Sequence, residues 1–123
     1  MTTAEQIHSM TYQELRDWLA VEHGYKYVEG REHVTVPHWI DSTGEPVWNA
    51  ECRLAIHPLE DTLEAVAACL PEGWSWTKYV EWQATKTVRG NQMRVFVVVT
   101  NHEECDRLRL ACLARLAEMG SKP

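Results

Sequence analysis

The stretch from Trp74 to Val99 constrains this chain most. Trp74-Ser-Trp76-Thr-Lys78-Tyr-Val80-Glu-Trp82-Gln alternates at period two, the pattern of a half-buried strand. The alternation runs on through Ala84 and Val88 to Arg89-Gly-Asn-Gln92, where Gly90-Asn91 fits a two-residue hairpin loop. A ribbon folded there sets Val88 opposite Met93, Lys86 opposite Val95, Ala84 opposite Val97 and Trp82 opposite Val99. One face then carries those apolar residues, with Lys86 as its only charge, and must be covered by helices. The other carries Gln83, Thr85, Thr87, Arg94, Phe96 and Val98, a thinner layer or a contact surface.

Helix signals stand on both sides of this ribbon. Thr11 with Glu14 is a T-x-x-E capping box, and Tyr12, Leu15, Trp18 and Leu19 follow on one helical face up to a left-handed cap at Gly24. Residues 1–10 are polar and read as a loose lead-in. Residues 25–36 are aromatic and β-branched, broken at Gly30, and predict a short irregular strand or hairpin. Ser42-Thr-Gly44-Glu-Pro46 is a turn that predicts an antiparallel pair of Trp39-Ile40 with Val47-Trp48, extended by residues 50–56. Pro58 is placed to open a second helix, with Glu60, Asp61 and Glu64 in its first turns, a stripe of Leu59, Leu63, Val66, Ala67 and Leu70, and a close at Pro71 and Gly73. A last helix begins near Asn101–Glu103 with Asn101 as its cap and ends at Gly120. It has two apolar stripes, Cys105, Leu108, Cys112, Leu116 and Met119, then Leu110, Leu113 and Ala117; such a helix is deeply wedged or shared with a second subunit.

These elements predict an α+β fold in α-β-β-α-β-β-α order. An antiparallel sheet of about four strands packs with three helices in an α/β/α sandwich-like arrangement, as one domain over residues 1–123. A chain of 123 residues can bury a core without metal or disulfide staples.

The net charge of −6, with scattered basic residues, disfavours direct nucleic-acid binding, which needs a basic stripe against the phosphates. No segment approaches the roughly 20 apolar residues of a membrane span. Cys52, Cys69, Cys105 and Cys112 form no C-x-x-C pair and follow a polar N-terminus, so a reducing, cytosolic setting is expected.

Candidate chemistry is sparse. His102 with Cys105 and Cys52 with His57 are the two spacings that suit a metal, and neither has a matching second pair. The cysteines sit at apolar periodic positions, where desolvation disarms a thiolate. No nucleophile elbow and no glycine-rich phosphate loop occurs. The carboxylates of Glu60-Asp61-Glu64 and Glu103-Glu104-Asp106 suit helix N-termini. Trp39, Trp48 and Arg53 near the predicted turn, and Arg94 with Phe96 on the ribbon, are side chains of the kind enriched in binding hot spots.

Trp39-x-Asp41-x-x-Gly44-x-Pro46, the His57-Pro58-x-x-Asp61 start with Glu64-Ala65-Val66, and Gly73-Trp74-Ser75-Trp76, closed by an Ala/Leu/Arg-rich helix over Arg107 to Leu116, resemble the phage α-β-α sandwich family of small proteins. The likeness covers residues 36–118. It implies a phage or prophage origin and a helix–sheet–helix arrangement, and it brings no catalytic residues; taken with the cysteine usage, residence in the host cytoplasm is expected, and no cofactor is expected. The expected function is a non-enzymatic interaction protein that binds a bacterial or phage protein, such as a host-defence inhibitor, with a homodimer suggested by the double-striped helix. Two alternatives stand beside it: an oligomeric module sequestering a nucleotide-like small molecule between aromatic and arginine side chains, and a small metal-assisted enzyme.

Overall fold

A threonine opens each of the first three helices. Thr3 caps α1 (Ala4–Ser9), its hydroxyl accepting from the Gln6 N–H while Gln6 reaches back to the Thr3 N–H. Thr11 and Glu14 make the same reciprocal pair ahead of α2 (Tyr12–Glu22), with bonds of 3.0 and 3.2 Å. Thr62 accepts from the Ala65 N–H at 3.1 Å ahead of α3 (Leu63–Ala68). Each hydroxyl satisfies a backbone donor that the first helical turn leaves free.

The computed structural model describes residues 2–30, 36–49, 51, 54–60 and 62–121. It is α+β, with elements in the order α1, α2, β1 (Lys26–Val28), β2 (His38–Ile40), β3 (Trp48–Asn49), β4 (Leu54–Ala55), α3, β5 (Ser75–Lys78), β6 (Glu81–Val88), β7 (Asn91–Val98) and α4 (Glu103–Ser121). The strands form three small antiparallel sheets, β1-β2, β3-β4 and β5-β6-β7, where one sheet of about four strands was expected. The chain makes two compact units, residues 1–15 with 61–123 and residues 16–60, and the division falls inside α2.

In the first unit α4 lies along β6 and β7, and α1 and α3 pack on α4. Leu110, Ala111, Cys112, Leu113 and Ala114 are all buried, so both apolar stripes of α4 are used: the helix is wedged into the core of its own unit. The loop Arg89-Gly90 joins β6 to β7 with φ of 51° and 82°, the pair of positive values that a tight hairpin loop of this twist requires. Val88 faces Asn91, Lys86 faces Met93, Ala84 faces Val95 and Trp82 faces Val97. The loop thus sits one residue earlier than Gly90-Asn91, and the register differs from the expected one by two. A two-residue shift keeps every side chain on its face. Trp82, Ala84 and Val97 are buried as expected, and Val88 at the ribbon's end is 42% exposed.

Four expectations need correcting. The loose lead-in is helix α1, anchored by Ile7, which is fully buried. The long strand from Trp74 is two strands, because the chain reverses at Tyr79-Val80 and β5 pairs back on β6, Trp76 facing Ala84 and Lys78 facing Trp82. The second predicted helix starts at Leu63 rather than Pro58, so Leu59 lies outside it, and Leu63 is 37% exposed. Finally, His102 rather than Asn101 caps α4, its Nδ1 accepting from the Cys105 N–H at 3.0 Å, and the helix runs through Gly120 to Ser121.

In the second unit β2 is buried along its whole length, and Tyr27 faces Trp39 across the β1-β2 pair. The turn after β2 is built on Asp41, whose Oδ1 accepts from Thr43 N, Glu45 N and the Thr43 hydroxyl at 2.6–3.0 Å. Gly44 supplies the positive φ of 90°. The expected pairing across this turn is one bridge, Ile40 with Pro46, and Trp48 pairs instead with Ala55.

Candidate functional site

The six tryptophans divide by depth. Trp39, Trp74 and Trp82 are buried, Trp18 and Trp76 half-buried, and Trp48 is 48% exposed on the β3-β4 pair. The expected trio of Trp39, Trp48 and Arg53 is therefore not one surface. Trp39 is sealed in a stack, its ring 5.3 Å from Tyr27 and 5.1 Å from His57. Arg53 lies outside the described residues, as does Cys52.

His57 is paired with Asp17 of α2 within the second unit. Its Nε2–H donates to Asp17 Oδ1 at 2.9 Å and its Nδ1 accepts from the Leu59 N–H at 3.0 Å. Both ring nitrogens are occupied, so this histidine–aspartate pair offers no free base to a substrate. Desolvation holds the ring's pKa below the ordinary histidine value, against the pull of Asp17.

The proposed metal pairs fare similarly. His102 spends Nδ1 on the helix cap and stands 3.6 Å from Glu104, and among the described residues no three His, Cys, Asp or Glu side chains converge. Burial pushes the thiols of Cys69, Cys105 and Cys112 up, most strongly at Cys112. Asp106, read from sequence only as a helix-dipole acid, is fully buried and accepts from Thr100 N at 2.8 Å and Thr100 Oγ1 at 2.6 Å, which locks the β7–α4 loop. Glu118 gathers Trp74 Nε1, at 2.9 Å, and the Lys86 ammonium on the rim of a 230 Å³ cleft with Pro71, Glu72 and Arg115.

The outer face of the β5-β6-β7 sheet is different: it carries exposed apolar side chains. Arg94 and Phe96 are brought together there as expected, with the guanidinium 5.9 Å from the ring centre. Phe96 is 41% and Val98 74% exposed, and Tyr79 and Val80 at the β5–β6 turn are almost fully exposed. Strand β7 is the edge of the sheet, and a groove of about 360 Å³ runs beside it, lined by Ala4, His8, Glu81, Val95, Phe96 and Leu113 among others. The alternation of β7 pointed to this face; the exposed Tyr79-Val80 corner was hidden, because the same alternation read as unbroken strand.

The opposite face of that sheet holds a second grouping that sequence reading missed. Folding β5 onto β6 brings Trp76 and Trp82 to one side, and Arg107 of α4 lies over both, 5.0 and 5.5 Å from their ring centres. Lys78 stands 5.1 Å from the Trp82 ring. No helix of the described residues is long and apolar enough to cross a membrane. No family model matches this chain, and no curated protein or solved structure is similar to it at a significant level.

Proposed function

We propose that this chain is a non-catalytic interaction protein that binds a protein partner through the outer face and free edge of the β5-β6-β7 sheet. The supporting observation is the set of exposed apolar side chains, Phe96 and Val98 on an edge strand that carries a single charge, Arg94, and Tyr79 and Val80 at the β5–β6 turn. Edge strands are ordinarily blunted by charge, proline or a covering element, because their unpaired N–H and C=O groups recruit other strands. An edge left apolar suits a surface that is covered in use. A bacterial or phage partner, a host-cytoplasmic setting and the blocking of a host defence protein are part of the proposal, and they rest on the resemblance of residues 36–118 and, for the cytoplasmic setting, on the cysteine usage.

The test compares the wild-type chain with Val98→Asp and Phe96→Asp. Both substitutions sit on exposed positions and should leave the circular dichroism spectrum unchanged. The wild type should retain a defined partner from bacterial lysate that both variants lose. Light scattering separates a heterologous partner from a second copy of the chain. Identical behaviour of wild type and variants in both measurements would overturn the reading.

A further inference from the structure

The Trp76–Trp82 grouping has more donors than acceptors. Trp82 is 5% exposed, and its Nε1–H is buried with no acceptor among the described residues. The Nε–H of Arg107 is in the same condition. Indole and guanidinium nitrogens only donate, and the ring faces that attract the guanidinium offer it no lone pair. Neither Lys78 nor Arg107 has a carboxylate within ion-pair distance among the described residues, although the chain carries 18 acidic side chains against 12 lysines and arginines. Two cations without an acid among the described residues, one of them with its own buried Nε–H lacking an oxygen, stand with a buried indole N–H in the same state and make a local excess of positive charge and of hydrogen-bond donors. A buried polar group without a partner is a recurrent mark of an absent ion or ligand.

We propose that this grouping is a binding site for a small oxyanion, the phosphate or carboxylate group of a metabolite-sized ligand. Arg107 supplies the planar fork that matches either group, and Lys78 the second charge. Arg107 is half-exposed, so its side chain can lift from the two rings to admit the anion. In the bound state an anion oxygen accepts from Arg107 Nε and from Trp82 Nε1, and any flat portion of the ligand lies on the indole faces. The site is on the face of the sheet turned toward α4, so it is independent of the outer face proposed as the protein contact.

The experiment is a titration of the isotope-labelled full chain at constant ionic strength, following the indole N–H of Trp82 and the Nε–H of Arg107 by NMR. Inorganic phosphate and acetate are the two probes, and their comparison tells which oxyanion the site prefers. Saturable shifts of both signals, with a Kd of about 1 mM or below for one probe, support the site. Lys78→Gln, an exposed position outside the core, should weaken binding about tenfold with the fold intact. Arg107→Lys should weaken it as well, since the charge stays and the fork is lost. Shifts reproduced by chloride would reduce the effect to screening and overturn the proposal. So would the absence of any shift up to about 10 mM of either probe, or strong water contacts at the Trp82 N–H that neither anion displaces.

Discussion

Arg109 holds the chain's first helix from 102 residues away: its Nε donates to the Ile7 carbonyl at 3.3 Å, and its Nη2 donates to the Met10 carbonyl. Both acceptors lie at the C-terminal end of α1: the Ile7 carbonyl also accepts from the Met10 N–H, and the Met10 carbonyl belongs to the cap residue beyond the last helical turn. Arg109→Met keeps much of the packing and removes both donors. It should lower stability by roughly 2 kcal/mol in urea unfolding and speed hydrogen exchange across residues 4–9. Unchanged exchange there would show that Ile7 alone seats the helix.

Glu118 joins α4 to the sheet through the Lys86 ammonium and to the α3–β5 loop through Trp74. The Lys86 and Glu118 side chains are 24% and 20% exposed, so their pairing is only partly screened. Glu118→Ala leaves an indole N–H and a half-buried ammonium without their acceptor and should cost about 2–3 kcal/mol. Lys86→Met should cost less, because Glu118 keeps Trp74 and the methionine stem still covers the sheet. Equal losses in thermal unfolding would contradict this ordering.

At the β6–β7 loop, Arg89 is the one non-glycine residue of positive φ among those described. Arg89→Asn should stabilise the chain by about 0.5–1 kcal/mol, since asparagine tolerates that conformation. Gly90→Ala should destabilise it by about 1–2 kcal/mol, although the space around Gly90 is open, because the strain comes from its φ of 82°. Opposite signs in urea midpoints are the expected result.

His57 makes stability depend on pH. Its folded pKa lies below the unfolded value of about 6.5, because burial disfavours the imidazolium. Between those two values the unfolded chain binds a proton that the folded chain does not, so stability falls as pH drops below about 6.5 and levels off under the folded pKa. The His57→Gln variant should lose this slope while keeping those that arise elsewhere. An unaltered profile in urea titrations from pH 7.5 to 5 would refute the assignment.

Much of the first unit's architecture was legible because period and capping chemistry are local. Thr11 and Glu14 announce their helix, and the alternation through Trp82, Ala84, Val95 and Val97 announces a ribbon with one buried face. What escaped was decided by neighbours distant in sequence. Ile7 looks like a lone apolar residue in a polar lead-in until Arg109 is seen above it. Alternation continues unbroken through Tyr79-Val80, so pattern alone could not reveal that the strand reverses there and that Trp76 comes to lie beside Trp82. The Trp39 binding surface failed for a related reason: a tryptophan suits core and interface equally, and only the Tyr27 and His57 rings around it settle which.

The reach of Arg109 also bears on biosynthesis. On a ribosome, residues 4–9 emerge about a hundred codons ahead of the guanidinium that holds them and of the α4 surface that buries Ile7. Helix α1 therefore docks only once α4 has been made, so the step that buries Ile7 joins two segments about a hundred residues apart.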